Sequence, residues 1–161
     1  MGVLFKEPAD TRRHAARVAR VARGQSIRNL RCGEVMAKPR MLGHTASVSR
    51  VIHLMTEHEW DHLFLIDDDY LPVGRVHAVD LLKIIDRKRV NRDTAWAEAV
   101  PALQCVSHPP LSVKEDTPLL KAAVLMLTQD LNQLAVVDSR GTLIGTVSHA
   151  TVARHLPRYI L

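Results

Sequence analysis

Apolar residues follow a helical period and then a strand period, and the same succession occurs twice along the chain. Four apolar positions with i, i+3, i+4, i+7 spacing predict an amphipathic helix over 48–57: Val48, Val51, Ile52 and Met55. The apolar run at 63–66 predicts a buried strand, and the acidic residues 67–69 predict the turn that ends it. A second strand through Gly74 and a second helix from about Ala78 complete the succession.

The second succession is the first one displaced by 71 residues. At that displacement 39–80 lies on 110–151 without a gap. Identical residues then coincide: Pro39 with Pro110, Leu54 with Leu125, Leu63 with Leu134, Asp67 with Asp138, Gly74 with Gly145 and Val76 with Val147. Chance does not readily produce identities that also keep the hydrophobic pattern in register. The chain therefore contains an internal repeat whose unit reads strand, helix, strand, strand, helix.

The repeat also sets where the remaining elements are expected. Short extended segments open the two units, at 41–42 and at 111–113. The main helix of the second unit is expected over 119–129, with Pro118 in its first turn, and Ser47 is the expected N-cap of the first. A unit of about 50 residues buries too little surface to fold alone, so the two units are expected to pack together.

Composition excludes several classes of protein. The 161 residues are 47% hydrophobic and 24% charged, which is typical of a globular protein and not of a disordered one. No apolar run reaches the roughly 18 residues of a membrane-spanning helix, and no apolar secretory segment follows the N-terminus. Cys32 and Cys105 stand alone, without the spacing of zinc ligands, which indicates reduced thiols and a cytoplasmic location.

The net charge of +5 is concentrated near the N-terminus. Residues 11–33 contain seven arginines and no acidic residue, so the rest of the chain carries a net charge of −2. Interspersed Ala, Val and Arg up to Gly24 predict a basic helix, whose charge suits nucleic acid, an acidic protein or an anionic membrane. A solvated helix that packs its Ala and Val residues on the rest of the protein has the same pattern. The expected organisation is an arm over 1–33, a first repeat over 34–86, a linker over 87–104 and a second repeat over 105–161.

Segments of both repeats carry the motifs of a known family. The second repeat has PPLSVKEDTPL at 109–119 and LAVVDSRGTLIG at 134–145, and the first has VMAKP at 35–39 and LID at 65–67. In this order the segments resemble the CBS domain, the repeat named after cystathionine β-synthase, which occurs in tandem as a Bateman module. The resemblance covers about 34–156. It implies an α+β fold of two β-α-β-β-α repeats packed pseudo-symmetrically, preceded here by the basic helix.

The resemblance also implies a function. Bateman modules bind adenine-containing ligands such as AMP, ADP, ATP or S-adenosylmethionine in clefts between the repeats, and they act as regulatory sensors and not as enzymes. They require no cofactor beyond that ligand and pass its occupancy to a regulated partner protein. They form disc-shaped dimers, which here implies a homodimer through the main helices. The expected interface residues are Val51, Ile52, Met55, Ala122, Ala123 and Met126.

The family's ligand signature is Gly-h-h-Ser/Thr-x-x-Asp, with h apolar, and it lies at a helix N-terminus that favours phosphate. The first repeat has Gly74, Arg75, His77 and Asp80 at these positions. The second has Gly145, Ser148 and Thr151. Asp80 keeps the ribose contact while His77 replaces the hydroxyl; Ser148 keeps the hydroxyl while Thr151 replaces the carboxylate. We therefore expect the first site to be the better nucleotide site.

Adenine requires an apolar slot beside this signature. The candidates are Met41, Leu42 and Leu63 in the first repeat, and Leu111 and Leu134 in the second. Each of them also suits an ordinary core position. Asp80 and Ser148, in turn, suit plain helix N-terminal capping, which needs no ligand.

Two other functions are compatible with the sequence. If both sites are degenerate, the protein is a dimerising scaffold whose arm, 11–33, binds nucleic acid or an acidic protein. The residues HEWDH at 58–62 match the zinc-protease motif, so the second alternative is a metal-dependent hydrolase at His58 and His62. The repeat disfavours the hydrolase, because the equivalent segment 129–133 lies where a helix ends and a strand begins.

Overall fold

The computed structural model describes residues 28–86, 94–105, 110–155 and 157, so most of the basic arm and part of the linker lie outside the described residues. A short helix, α1 (Cys32–Val35), comes first. The first repeat then consists of β1 (Met41–Gly43), α2 (Val48–Glu57), β2 (His62–Ile66), β3 (Pro72–His77) and α3 (Ala78–Asp86). Helix α4 (Thr94–Ala99) and a 3-10 turn (Ala102–Cys105) follow it.

The second repeat has the same succession of elements. It consists of β4 (Ser112–Lys114), α5 (Leu119–Thr128), β5 (Gln133–Val137), β6 (Leu143–Ser148) and α6 (His149–His155). The predicted α+β fold with two β-α-β-β-α repeats is thereby confirmed. Among the described residues, no helix is long and apolar enough to cross a membrane.

Each repeat forms one three-stranded sheet. In the first, β1 pairs parallel with β2, and β2 pairs antiparallel with β3; β4, β5 and β6 repeat this arrangement. The parallel pair requires a crossover, which α2 and α5 provide, while the antiparallel pair requires only a turn. The two hairpins even share a register irregularity at equivalent positions, between Leu65 and Ile66 and between Val136 and Val137.

The turns of the two hairpins are built by the same hydrogen bonds. The Oδ1 atom of Asp67 accepts the N–H groups two and four residues further on, and Asp138 does the same in the second repeat. Each turn then needs a residue with positive φ, which is Tyr70 in the first repeat and Gly141 in the second. The pairing of Asp67 with Asp138 in the sequence therefore reflects a shared turn and not a shared ligand contact.

One face of each sheet packs on the helices of its repeat. The first core contains Val51, Met55, Leu63, Leu65, Val76 and Ala102. The second contains Cys32, Val113, Leu119, Ala122, Met126, Leu134, Val136 and Val147. Burial raises the pKa of the Cys32 thiol to about 11, so this cysteine is a protonated core residue at neutral pH.

The segment before each repeat packs on the other repeat. Cys32 of α1 donates its backbone N–H to the Thr117 carbonyl (2.9 Å), and its side chain belongs to the core of the second repeat. Conversely, Ala102, in the segment before the second repeat, donates its N–H to the Ala46 carbonyl (2.7 Å) and lies in the core of the first repeat. The repeats are therefore joined by exchanged segments as well as by their sheets.

The other faces of the two sheets meet each other. Phe64 and Ile66 of β2 form a buried cluster with Ala135 of β5 and Leu143 of β6. Phe64 and Ala135 occupy the same position of the two repeats, so a large side chain on one sheet is matched by a small one on the other. This complementarity packs the repeats pseudo-symmetrically without a clash.

Two details of the sequence interpretation are wrong. Val51, Met55, Ala122 and Met126 are buried in the cores of their own repeats, so they are not available for a dimer interface; Ile52 is exposed, and Ala123 is partly buried. Ser47 caps α2 as expected, but Pro118 is itself the N-cap residue of α5 and is not in its first turn. Proline has no side-chain acceptor with which to cap the helix. The N–H of Leu119 donates to the Leu30 carbonyl (2.8 Å), because the chain before α1 runs beside the start of α5.

Candidate functional site between the repeats

Strand register places the chemistry-bearing residues at one end of the contact between the sheets. Residues two apart on a strand share a face, so His62 lies on the same face of β2 as Phe64. Across the hairpin, His62 pairs with His77, and Gln133 pairs with Ser148 in the second repeat. Two histidines, a glutamine and a serine are thus brought to the place where β2 and β5 begin and α3 and α6 start.

His77 and Asp80 cap the start of α3 reciprocally. The N–H of Val79 donates to His77 Nδ1 (3.3 Å), and the N–H of His77 donates to Asp80 Oδ2 (3.0 Å). A histidine thus replaces the Ser or Thr of the usual capping box. One carboxylate oxygen of the partly buried Asp80 is used in this bond, and none is used in an ion pair among the described residues.

Ser148 and Thr151 form the equivalent pair at the start of α6. Ser148 Oγ accepts the N–H of Thr151 (3.2 Å), and Thr151 Oγ1 accepts the N–H of Ser148 (3.1 Å). The two hydroxyls also lie 3.2 Å apart, within hydrogen-bond distance, and Thr151 is buried. The hydrogen-bonding groups of Ser148 and Thr151 satisfy each other, so the second site offers a ligand fewer free acceptors than the first site does.

The carboxylate of Asp61 joins three segments beside the first site. Its Oδ1 atom lies 2.6 Å from His62 Nδ1 and accepts a bond from Arg40 Nη1 (3.0 Å). Its Oδ2 atom accepts a longer bond from Gln133 Nε2 (3.5 Å), which comes from the other repeat. The carbonyl of Asp61 accepts the N–H of Ala78, the first residue of α3 (2.8 Å). Asp61 therefore connects the contact between the repeats to the start of α3.

The environment of this cluster sets its protonation. Burial lowers the pKa of the His62 imidazole, and this effect exceeds the opposite effect of the Asp61 carboxylate. Burial raises the pKa of Asp61, but the hydrogen bond from His62, the charge that His62 carries when it is protonated at low pH, and the charge of Arg40 outweigh this effect, so the net direction is down. At neutral pH the cluster holds an ionised Asp61 and a neutral His62.

Sequence reasoning missed Arg40, Asp61 and Gln133, and it considered His62 only as a metal ligand. A usable signal was present: His62 and Gln133 are polar residues 71 apart, each at the start of an otherwise apolar strand. A polar residue at such a position in both repeats is unusual for core packing and typical of a functional contact.

The residues expected at the adenine slot and in the signature differ in how far they are buried. Leu63 and Leu134 are fully buried in the cores of their repeats, on the helix-facing side of each sheet, so they do not line a slot. Met41 and Leu111 are exposed, and Leu42 is partly buried. Among the signature residues, Gly74 and Gly145 are buried in strands, where they pair with Leu65 and Val136. Arg75 lies opposite Phe64 and is partly buried.

The zinc-protease motif does not form a metal centre. Helix α2 ends at Glu57, His58 is its C-cap, and His62 begins β2, so the two histidines do not share a helix face. His58 stacks on Trp60, with ring centroids 4.6 Å apart. No group of three or more potential metal ligands occurs in the part of the chain that the structure describes. His58 and His62 therefore do not have the arrangement that the zinc-protease motif requires.

A separate groove of about 420 Å³ runs along the outer edge of the second repeat, between β4 and α5. Lysines, hydroxyl residues and aliphatic residues line it: Ser112, Val113, Lys114, Thr117, Lys121, Val124, Leu125 and Thr128. It contains none of the residues that the sequence indicated for a ligand.

Comparison with known proteins decides the family of this arrangement. A family model, the CBS domain, matches residues 32–87 and again 102–158. The chain belongs to the CBS domain family. The two matches correspond to the two repeats with the short segments that precede them, and the resemblance noted in the sequence is confirmed.

The curated relatives of this CBS protein are longer than the chain itself. It is 29% identical over 146 residues to the chloroplastic CBS domain-containing protein CBSX1 of Arabidopsis thaliana, across 76% of the chain and 62% of that protein. It is 26% identical over 123 residues to an uncharacterized protein of Methanopyrus kandleri, across 76% of the chain and 60% of that protein. The chain thus spans about 60% of the length of these two relatives.

Solved structures of CBS proteins share the fold. The CBS domain protein PAE2072 from Pyrobaculum aerophilum, complexed with AMP, has a TM-score of 0.69 and 21% identity over 81% of this chain and 98% of that chain. CBSX2 in complex with AMP has a TM-score of 0.66 and 26% identity over the same shares. The CBS domain pair of MJ0100, in complex with 5′-methylthioadenosine and S-adenosyl-L-methionine, has a TM-score of 0.66 and 18% identity over 80% of this chain and 96% of that chain.

Proposed function

We propose that this CBS pair is a regulatory module, and not an enzyme, that binds an adenosine-containing ligand between its repeats and transmits occupancy to a partner protein. One observation carries the proposal: the carboxylate of Asp80 stands in the first turn of α3, next to the polar cluster between the repeats. A carboxylate there suits a ribose diol, which offers two hydroxyl donors to its two oxygens. AMP, 5′-methylthioadenosine or S-adenosylmethionine in structures of similar fold supports the same ligand class.

The first site is the proposed binding site. Asp80 has acceptor capacity left after capping α3, and Arg75 and His77 lie two residues apart on β3 and therefore share one of its faces. In the second site Ser148 and Thr151 satisfy each other, and no carboxylate replaces Asp80. Candidates for the wall against adenine are Met41 in the first repeat and Leu111 in the second, because both are exposed, whereas Leu42 packs against the core of the first repeat.

Occupancy would be transmitted by a shift in the arrangement of the repeats. Asp61 holds Ala78 of α3 through its carbonyl and Gln133 of the other repeat through its carboxylate. A ligand that binds one arrangement more tightly than another shifts the population toward it, by no more than the difference in affinity. The start of α3 is therefore linked by hydrogen bonds through Asp61 to the contact between the repeats.

Replacement of Asp80 by asparagine tests the proposal. Asn retains one oxygen to cap α3 but loses the charge and the second acceptor that a ribose diol requires. An adenosine ligand at 100 times its dissociation constant adds about 2.7 kcal/mol to the free energy of unfolding. We expect a thermal-shift screen with adenosine, AMP, ADP, ATP and S-adenosylmethionine to give a stabilised wild type and an Asp80→Asn variant that is not stabilised.

Thr151→Ala is the matched control, because it removes the equivalent capping residue of α6 without touching the first site. It should respond to ligand as the wild type does. A folded wild type that none of the five ligands stabilises would contradict the proposal. That result would favour a dimerising scaffold, in which the basic arm makes the functional contact.

We further propose that the module is a homodimer through the outer face of α5. Leu120, Val124 and Leu127 form an apolar stripe there, with exposed fractions of 41%, 60% and 74%. The equivalent residues of α2 are polar: Ser49, His53 and Thr56. An exposed apolar stripe on α5, at positions that are polar on α2, is typical of an interface and not of a solvated helix.

Leu127→Glu tests this interface. A carboxylate at the most exposed position of the stripe would have to be desolvated in the dimer, which costs several kcal/mol, so we expect at least a hundredfold weaker dimerisation. Sedimentation equilibrium measures it. Thr56→Glu, at the equivalent place on α2, should leave the dimer unchanged, and equal effects of the two substitutions would contradict the interface.

A further inference from the structure

His62 and Gln133 are two buried polar side chains whose hydrogen-bonding groups are incompletely satisfied. They occupy the same position in the two repeats, and their exposed fractions are 5% and 4%. His62 Nε2 and Gln133 Oε1 have no hydrogen-bond partner among the described residues. Since nearly all buried polar atoms in proteins are paired, two unpaired atoms at equivalent positions beside one site indicate a missing partner.

Both unpaired atoms are hydrogen-bond acceptors. His62 Nδ1 faces the Asp61 carboxylate at 2.6 Å, which assigns the proton to Nδ1 and leaves a lone pair on Nε2. Gln133 donates its Nε2 to the same carboxylate, which leaves the carbonyl Oε1 unpaired. The missing partner must therefore donate hydrogen bonds.

The charges around the pair do not alter this requirement. Arg40, the cation nearest to Asp61, is bound to that carboxylate at 3.0 Å and lies over the Trp60 ring at 5.6 Å. His77 is the other titratable group that acts on His62, and its Nδ1 accepts the N–H of Val79. A phosphate presents acceptors and negative charge to two acceptors and a nearby carboxylate, whereas a hydroxyl or ammonium group presents donors.

We propose that His62 and Gln133 form a subsite that selects a hydroxyl or ammonium group of the ligand and disfavours a phosphate. We assign it to the 5′ side, because Asp80 is proposed to hold the ribose diol and adenine requires an apolar wall. The inference rests on the proposed function, in which Asp80 holds the ribose. It names the ligand class more narrowly: a nucleoside or an amino-bearing adenosyl compound binds more tightly than a nucleotide.

Access to the subsite requires a small movement. Neither unpaired atom is exposed in this arrangement, so the donor group enters as the starts of β2 and β5 separate. Because Gln133 and His62 belong to different repeats and share the Asp61 carboxylate, a donor that bridges them binds both repeats at once. Ligand selection and the rearrangement of the repeats thus take place at the same atoms.

Three probes that share adenine and the ribose diol test the subsite: 5′-amino-5′-deoxyadenosine, adenosine and AMP. Isothermal titration at pH 7.5 should give affinities in that order for the wild type. In Gln133→Leu the preference for the amino compound over AMP should fall at least tenfold. The melting temperature should change little, because the change removes an unpaired buried acceptor together with only a long hydrogen bond to Asp61 (3.5 Å). Gln129→Leu, the same change at an exposed position after α5, should behave as the wild type.

The outcomes separate the two proposals. If none of the three probes binds the wild type, the proposed function fails and the subsite with it. If the probes bind but AMP is preferred, the subsite alone is overturned. The subsite is likewise overturned if Gln133→Leu weakens all three probes equally, because the side chain then does not distinguish their 5′ groups. It is overturned as well if none of them is weakened, since the partner of Gln133 is then not the ligand.

Discussion

Replacement of Phe64 by alanine is expected to lower the free energy of unfolding by about 3–5 kcal/mol. Phe64 is fully buried in the cluster between the two sheets, against Ile66, Ala135 and Leu143. Its removal leaves a cavity that is lined by residues of both repeats, which cannot close without moving one sheet toward the other. Urea denaturation monitored by circular dichroism measures the loss, and an unchanged midpoint would mean that the sheets do not pack through this residue.

A swap of the two side chains shows whether the packing is pseudo-symmetric. Ala135 occupies the position of Phe64 in the second repeat, so Ala135→Phe alone should overpack the cluster and cost about 1–3 kcal/mol. The double variant Phe64→Ala with Ala135→Phe restores the total volume and should recover at least half of the summed losses. Simple additivity of the two losses would contradict pseudo-symmetric packing at this place.

Replacement of Gly145 by alanine is expected to cost about 1–3 kcal/mol, although alanine is normally tolerated in a strand. A Cβ atom at this position would lie 2.3 Å from Met36 Sδ and 2.9 Å from Met36 Cβ. The segment after α1 is held there by paired hydrogen bonds between Ala37 and Thr146 (2.9 and 3.0 Å), so it does not withdraw easily. The measurement is the same urea denaturation.

Gly43→Ala is the matched control for Gly145→Ala. Gly43 also lies in a strand, but an added Cβ would meet no atom within 4 Å, so stability should change by less than about 0.5 kcal/mol. Adding Met36→Ala to Gly145→Ala removes the two closest contacts and should restore part of the loss. A Gly145→Ala variant as stable as the wild type would show that the Met36 segment does not pack on β6.

Much of the fold could be predicted because the relevant signals are local and occur twice. The spacing of Val48, Val51 and Met55 gave the helix 48–57 as it is observed, and the displacement of 71 residues transferred that result to the second repeat. The exchange of segments was not predictable from periodicity. Whether Ala102 packs on its own repeat or on the other depends on tertiary contact alone. The dimer residues were wrong for a related reason, because an apolar helix stripe shows which face is buried but not against what.

The candidate site could be predicted less well than the fold. The signature led to Asp80 and Ser148, and both lie at helix starts as expected. It did not lead to Asp61, Arg40 or Gln133, because their association depends on strand register and on contact between the repeats. Leu63 and Leu134 were misjudged as slot residues, since sequence does not tell which face of a fully apolar strand meets the helices and which meets the other sheet.

The exchanged segments make the two halves of the chain mutually dependent. A cut between Asp86 and Thr94 would leave Cys32 and its helix on one fragment and Ala102 on the other. Each fragment then carries the piece that completes the core of its counterpart. Such fragments are expected to fold only when they are mixed, so the chain could be divided there into a split protein whose assembly requires both parts.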